Sequence, residues 1–443
     1  MGKDRVFVLG MARSGYEAAR LLVSRGYDVL VNDGKEEQNP EHVDELRELG
    51  VELHLGSHPD DLFDETFSMI VKNPGISNNH KYVEKANELD IPVINEMELA
   101  YRYFPMDVRI IGITGTNGKT TTTTITYEIF KAAMDRVFLA GNIGYPVCSI
   151  VDQLEPDDIV VMEVSDHQLS NVSEFKTDVA VLTNLFEAHI DFHGSYERYI
   201  AMKKRIFNFH TKSDVAILNK DNSDVMELTR DIGSMKKYFS SRSQADCCIH
   251  KGAIWYDGEK VIALEDIRIK GSHNYENTMA AIMVAKEFGI DNKTISRVMK
   301  NFNGVEHRLE FSGTVNGVAY YNDSKATNIK STQIALSSFN KPTVLLLGGM
   351  DRGHSFEELR DYLSNVRLII SYGETRFRID EFADSCDIEC IVTDTLEEAV
   401  LAAYETAERG SVVLLSPACA SWDQFADFEE RGNLFKDCVK KLL

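Results

Sequence analysis

The chain has 443 residues, 43% of them hydrophobic and 27% charged, and carries a formal net charge of −22. That length exceeds one ordinary hydrophobic core and predicts two or three domains, while the composition describes a soluble globular protein. The acidic balance excludes non-specific nucleic-acid binding, which uses lysine and arginine to displace counterions from phosphate, and no apolar run is long enough to span a membrane.

The opening MGKDRVFVLGMARSGYEAARLL reads as strand, turn and helix better than as a secretory leader, because no small-residue cleavage site follows its apolar stretch. GMARSG (10–15) follows the first strand and Asp33 closes the next. This is nearly a dinucleotide fingerprint, with Ala12 in place of the central glycine, and taken alone it allows an NAD(P)-dependent oxidoreductase. The runs DVLVND, SMIVKN and PVIN complete a first small sheet, which ends near NEMELAYRYFP (95–105). RIIGIT, VFLAGN, DIVVMEV, DVAVLTN and VAILN form a second group up to about residue 219. The interval 221–270 is polar, and CCIHKGAIWYDGEKVIALEDIRI reads as short antiparallel strands. NGVEHRLEFSGTVNG (303–317), bracketed by glycines, precedes a third group: PTVLLLGG, RLIISYG, ECIVTD and SVVLLSP.

Most of these runs are continuously apolar, as expected of parallel strands covered on both faces, and the strand–helix rhythm predicts doubly wound α/β architecture. Seven cysteines, at 148, 247, 248, 386, 390, 419 and 438, show no paired C-x-x-C spacing. An odd number of scattered thiols suits a reducing cytosol, so a cytoplasmic location is expected.

TGTNGKTTTTT (114–124) is where the second group acquires chemistry. A strand, a glycine turn, Lys119 and a following helix aim backbone N–H groups at an anion, and the lysine adds a full charge. The residues expected around nucleotide phosphates are Gly115, Thr116, Asn117, Gly118, Lys119, Thr120 and Thr121, and the hydroxyl after the lysine suits Mg²⁺. The standard glycine spacing fails by one position, since Ile113 stands where a glycine is wanted; an accidental Gly-Lys-Thr is the competing reading. Threonine is a mediocre helix former. Those in the first turn offer hydroxyls to a phosphate, a metal or the free N–H groups, while Thr122 to Thr124 are expected to pack or to bond back to preceding carbonyls. An anionic ligand needs such a local positive site, because the field of the whole chain repels it.

From TGTNGKT onward the sequence resembles the Mur ligases, ATP-dependent amino-acid-adding enzymes of peptidoglycan synthesis. GNIG (141–144), MEVSDHQL (162–169), TNLFEAHIDFHGSYERYIAMKKRIF (183–207) and GSHNYEN (271–277) carry the resemblance. EHRLE (306–310), YNDSKATN (321–328), LGGMDRG (347–353) and SPACASWDQFADFEERG (416–432) complete it, the last three looking most like the branch that adds D-glutamate to UDP-N-acetylmuramoyl-L-alanine. The implied fold is a Rossmann-like N-terminal domain (1–98), a central P-loop ATPase-like α/β domain with a small antiparallel portion (99–306) and a Rossmann-like C-terminal α/β domain (307–443).

The resemblance implies that ATP phosphorylates a carboxylate and that an amine then displaces phosphate, so two anions must meet among cations. It places Lys119 on the β- and γ-phosphates and Thr120 with Glu163 on one Mg²⁺. It places His189 on a second Mg²⁺, with Asp191 and His193 as weaker alternatives. Lys203, preferred to Lys204 because AMK matches the family's A-x-K position, would carry a carbamate formed from CO₂ and so become an oxygen ligand. By residue type alone Glu163 ends a buried strand, His189 is structural because Mg²⁺ prefers oxygen, and KKR is a solvated helical face. Asn274, Arg308 and Asp323 are implied at the adenine and ribose end, with Asn277 close by. Arg308 would reach the triphosphate on closure of the third domain. Lys325 would be a second catalytic cation, although DSKATN alone reads as a turn and helix cap.

For the amino acid the resemblance points to Thr327, Arg352, Ser421 and Phe428. Arg352 stands where the family has lysine, and a guanidinium forks onto carboxylate where an ammonium acts as a point charge. SPACASWDQFADFEERG also reads as a strand followed by an ordinary amphipathic helix. Ser14, Asp33, Lys35 and Asn73 would contact uridine diphosphate, and Asn142 the middle of that substrate. Asp166 and His167 replace the family's serine and aromatic; the added acid either alters metal affinity or pairs with His167. The expected partners are these small molecules, with no nucleic acid and no membrane, and the chain is expected to be a monomer.

Overall fold

Three sheets organise the chain in the computed structural model, which describes residues 4–187 and 190–443. The first contains β1 (Arg5–Leu9), β2 (Asp28–Asp33), β3 (Glu52–Leu55), β4 (Phe67–Lys72) and β5 (Val93–Asn95). Its order is β3-β2-β1-β4-β5 with every neighbour parallel. The direction of winding reverses between β1 and β4, and a doubly wound sheet leaves its ligand crevice beyond the strand carboxyl ends at that point.

The second sheet contains β6 (Arg109–Thr114), β7 (Val137–Gly141), β8 (Ile159–Glu163), β9 (Val179–Leu182), β10 (Val215–Asn219), β11 (Met235–Ser240), β12 (Cys247–His250), β13 (Ala253–Tyr256) and β14 (Glu259–Ala263). Its order is β14-β13-β12-β11-β10-β9-β6-β8-β7. β6 lies between β8 and β9, and all of its side chains after Arg109 are buried, which is why RIIGIT is apolar without alternation. The antiparallel portion expected in 221–270 is β12-β13-β14, where Ile249 pairs with Ile254 and Ile254 with Ile262.

The third sheet contains β15 (Glu310–Val315), β16 (Val318–Asn322), β17 (Thr343–Gly348), β18 (Val366–Tyr372), β19 (Glu389–Val392) and β20 (Val412–Leu415), in the order β15-β16-β20-β17-β18-β19. Only the β15–β16 hairpin is antiparallel. Strand pleating sends successive residues to opposite faces, so Leu345 and Leu347 enter one apolar cluster and Leu346 the other.

Residues up to 301 form one compact unit and residues 302–443 another. Within the first, a single apolar cluster runs from Val6 and Leu22 through Met97 and Leu99 to Val160 and Leu182, joining the first two sheets. All seven cysteines are free. Among the described residues no helix is long and apolar enough to cross a membrane.

Candidate active site

The turn after β6 is built around two glycines. Gly118 has φ +79°, and a β-carbon there would lie 2.2 Å from Asn277 Oδ1; at Gly115 it would lie 2.0 Å from Thr183 Oγ1. Only a residue without a side chain allows this backbone to close against its neighbours. The segment after β9 pins the turn. Thr116 N–H donates to the Asn184 carbonyl (2.9 Å), Asn117 N–H to Asn184 Oδ1 (2.8 Å), and Thr183 Oγ1 to the Asn117 carbonyl (2.7 Å). Gly118 then caps the helix Lys119–Lys131, whose first N–H groups face the turn. Lys119 Nζ donates to the carbonyls of Gly115 and Thr116, each at 2.9 Å, so the cation lies over the loop it follows.

The threonine run is mostly interior. Thr122 and Thr123 are fully buried; Thr124 Oγ1 bonds back to the Thr120 carbonyl at 2.8 Å, and Thr122 Oγ1 meets Asn277 Oδ1 at 3.3 Å. Thr122 and Thr124 thus find hydrogen-bond partners, whereas the Thr123 hydroxyl is buried without one among the described residues, and the helix packs against the helix Ser272–Glu287.

Glu163, the last residue of β8, is 1% exposed. One carboxylate oxygen accepts from Asn142 Nδ2 at 2.6 Å, and Asn142 N–H donates to the Glu163 carbonyl at 2.9 Å. Its other oxygen, Oε2, is buried without a hydrogen-bond partner among the described residues. An unpartnered buried carboxylate oxygen is costly unless a cation meets it. The hard oxygen donors Glu163 and Thr120 therefore fit Mg²⁺. His189 lies outside the described residues, as does the side chain of Asp191. Among the described residues no three His, Cys, Asp or Glu side chains cluster as a ligand set.

Lys203 is fully buried on the helix Tyr196–Lys204, with Nζ 3.1 Å from Asp166 Oδ1 and 4.7 Å from the centroid of the Tyr199 ring. Burial pushes its pKa down to about 8, with the Lys119 charge acting in the same direction and Asp166 opposing. Asp166 also accepts from His193 Nε2 (2.7 Å) and lies 3.1 Å from His167 Nδ1. Burial alone would raise the Asp166 pKa; the His167 hydrogen bond, the Lys203 charge and His193 outweigh it and hold the carboxyl well below its usual range. Asp166 thus pairs with His167, with His193 and with Lys203 together. The link of Asp166 to Lys203 and the contact of Lys203 with Tyr199 leave no pattern in the sequence; the acid at a family serine position is the signal that points there.

In the first sheet, Asp33 accepts from Met11 N–H and Lys35 N–H, both at 2.8 Å, and Asn73 Nδ2 donates to Ser14 Oγ at 3.0 Å. Ser14, Asp33, Lys35 and Asn73 are thereby gathered around the Gly10–Gly15 turn. Lys72, fully buried beneath them, donates to the Ile76 carbonyl at 2.6 Å and has no acidic partner among the described residues. Asn274 sits in the first turns of Ser272–Glu287, with Nδ2 on the Lys270 carbonyl at 2.9 Å.

The unit 302–443 holds the remaining candidates. Asp323 accepts from Ser416 Oγ (2.8 Å) and Leu309 N–H (3.2 Å), while burial raises its pKa to about 7. Arg308 is exposed between His307 and Leu309, both at positive φ. Lys325 Nζ lies 5.0 Å from the centroid of the Phe428 ring, and Thr327 N–H donates to the Lys325 carbonyl at 2.9 Å. Ser421 is buried, and the loops holding Ser421 and Arg352 are joined by a bridge between Met350 and Ala420.

A doubly wound sheet, a glycine turn with its lysine at a helix start, and a buried acid at the adjoining strand end define a nucleotide-phosphate-handling α/β enzyme. The family model "Mur ligase MurD-like, N-terminal domain" matches residues 4–95, "Mur ligase middle domain" 113–285 and "Mur ligase, glutamate ligase domain" 307–419. Relatives named UDP-N-acetylmuramoylalanine--D-glutamate ligase, from Bacillus cereus strains G9842 and AH187, are 43% and 44% identical over 99% of this chain and 98% of their own. In fold the chain is similar to a UDP-N-acetylmuramate-alanine ligase from Thermotoga maritima (TM-score 0.60, 18% identity, 99% of each chain). It is also similar to a pseudomurein peptide ligase type C from Methanothermus fervidus (TM-score 0.56, 19% identity, 100% of each chain). The chain belongs to the Mur ligase family. It is an ATP-dependent ligase that forms an amide bond in peptidoglycan synthesis, and the oxidoreductase alternative for GMARSG falls away.

Proposed function

We propose that this ligase joins the amino group of D-glutamate to the carboxyl of UDP-N-acetylmuramoyl-L-alanine, converting ATP to ADP and phosphate through an acyl phosphate. The observation that best supports the chemistry is the buried oxygen of Glu163, unpartnered among the described residues, at the end of β8, the strand beside the one that leads into the Lys119 loop. The choice of substrates rests on the name shared by relatives 43% identical over nearly the whole chain.

In this reading Gly115, Thr116, Asn117, Gly118, Lys119, Thr120 and Thr121 hold the ATP phosphates, Lys119 lying along the β- and γ-phosphoryl oxygens. A substrate carboxylate oxygen attacks the γ-phosphorus and ADP leaves. The neutral amine of D-glutamate then attacks the acyl carbon, phosphate leaves with the bonding electron pair, and the nitrogen gives up one proton to solvent. Lys119 and Lys325 offset the repulsion between the meeting anions, which is the largest electrostatic demand of such a step. Thr120 and Glu163 would hold one Mg²⁺, and His189 with carbamylated Lys203 a second; bound there, the ions would screen the phosphoryl oxygens. Asn274, Arg308 and Asp323 would take the adenosine end. Thr327, Arg352, Ser421 and Phe428 would take D-glutamate. Ser14, Asp33, Lys35 and Asn73 would take uridine diphosphate, with Asn142 toward the middle of that substrate.

A carbamate on Lys203 replaces its ion pair with Asp166 by two adjacent anions. It is therefore stable only with cations beside it, which couples CO₂ uptake to metal binding. With ¹³C-labelled CO₂, a protein-bound carbamate resonance should appear in Mg²⁺ and be lost in Lys203→Ala. Domains at 1–98, 99–306 and 307–443, a monomeric state and a cytoplasmic location complete the proposal. Phosphate release measured across amino acids with UDP-N-acetylmuramoyl-L-alanine supplied should be fastest with D-glutamate. Another amino acid working while D-glutamate fails would reject the specificity.

A further inference from the structure

The residues 302–443 carry an arginine that is held by an aromatic face instead of an acid. Arg352 is exposed, with its guanidinium carbon 4.6 Å from the centroid of the Trp422 ring. Among the described residues it forms no ion pair, although the chain has 70 acidic residues against 48 basic ones. The acids around it are engaged elsewhere. Asp351 pairs with Arg378 and accepts from Gly353 N–H, Glu374 accepts from Asp351 N–H at 3.0 Å, and Asp423 accepts from Glu374 N–H at 3.2 Å.

Trp422 has its own anomaly. It is 61% exposed, and among the described residues its indole N–H makes no hydrogen bond. Its neighbours in the chain are firmly placed: Ser421 is buried, and Met350 N–H donates to the Ala420 carbonyl at 2.9 Å, holding the 350 and 420 loops side by side. The ring therefore contributes little to the core and stands on a rigid base under Arg352.

We infer that Trp422 is a positioning residue that orients the Arg352 guanidinium for a carboxylate of the incoming amino acid. The inference rests on the reading that Arg352 contacts that amino acid. Stacking covers one broad face of the guanidinium and leaves its N–H edge free in the plane of the group, the edge that forks onto a carboxylate. An acid partner would compete with the substrate for that same edge; an aromatic face does not. It also lowers the rotamer freedom lost on binding. A lysine at this position has no planar fork for a ring to orient, so an arginine here has a use for Trp422 that a lysine lacks.

The test is a double-mutant cycle on the full-length enzyme, reading KM for D-glutamate separately from kcat. Trp422→Leu should raise that KM roughly two- to five-fold, as expected of an exposed cation–π contact, with kcat little changed and KM for ATP unmoved. Trp422→Phe, which keeps an aromatic face, should recover most of the loss. In an Arg352→Lys background the same Trp422→Leu change should cost markedly less. Equal costs in both backgrounds, or a phenylalanine variant as impaired as the leucine one, overturn the role of Trp422 while leaving Arg352 in place. If Arg352→Ala leaves the D-glutamate KM unchanged, the assignment of Arg352 fails and the role of Trp422 fails with it.

Discussion

Glu163 and Lys119 bring opposite charges to one strand-end neighbourhood for different reasons. The carboxylate is buried with an oxygen that has no partner among the described residues, whereas the ammonium lies over neutral backbone carbonyls that it can leave when an anion arrives. Glu163→Gln should therefore keep or raise the thermal midpoint, because a buried carboxylate with one oxygen unpartnered among the described residues is removed, while abolishing ATP-dependent ligation. A fall in the midpoint together with full activity would contradict the role given to this oxygen. Lys119→Ala should lower turnover by about 10³-fold, the scale of losing one full charge aimed at developing phosphoryl charge, with circular dichroism unchanged. Both residues were visible in the sequence, Lys119 from its motif and Glu163 from its place at a strand end beside that motif. Asp166 was visible only as a departure. Its three partners come from the loop after β8 and from the segment 190–204, a convergence that chain order does not reveal.

The helix Lys119–Lys131 shows how an element with poor intrinsic propensity is stabilised by its surroundings. Its threonines find back-bonds and burial, and its start depends on Gly118 in a left-handed conformation against Asn277. Gly118→Ala must strain the backbone and displace Asn277, so ATP affinity should fall at least tenfold while the rest of the fold persists; isothermal titration with ATP and Mg²⁺ checks this. A second element carries a titratable group. Glu96, at the start of the helix Glu96–Tyr101, is buried against Cys148 N–H, and burial raises its pKa to about 7 from 4.5. A raised pKa means the folded state favours the protonated carboxyl. The stabilising contribution is full below pH 4.5 and is lost as pH rises through about 7. Glu96→Gln keeps the acceptor and removes the titration. Its advantage in unfolding free energy over the parent should grow from near zero at pH 5 to on the order of 2–3 kcal/mol at pH 8.5, read from denaturant melts.

Across the whole molecule, the acidic surplus makes local cations the condition for any reaction between anions, and in the proposed reading Lys119 of one compact unit and Arg308, Lys325 and Arg352 of the other supply them. Sustained ADP release should therefore require the nucleotide sugar and the amino acid together with ATP, while the sugar alone yields at most the one equivalent per enzyme that accompanies the acyl phosphate. Continuous ADP turnover with either one omitted would argue against this order of steps. Three groups of strands were legible because interior parallel strands are continuously apolar. β3, β11 and the β15–β16 hairpin were not among them. β3 and β15 lie at sheet edges with half-exposed side chains, and β11 is the polar MKKYFS.

Amino-acid order was sufficient for the architecture class, the phosphate loop and the family, since each is written in short contiguous patterns: apolar runs, glycine spacing and motifs in series. Folding in three dimensions decided which groups lack partners and which share them. The Glu163 oxygen unpartnered among the described residues, the Lys203–Asp166 pair and the Arg352 guanidinium over the Trp422 ring all join residues that are remote in the chain or depend on how completely a side chain is buried. Desolvation and contact are properties of a packed neighbourhood, and a neighbourhood exists only once distant segments have been brought together.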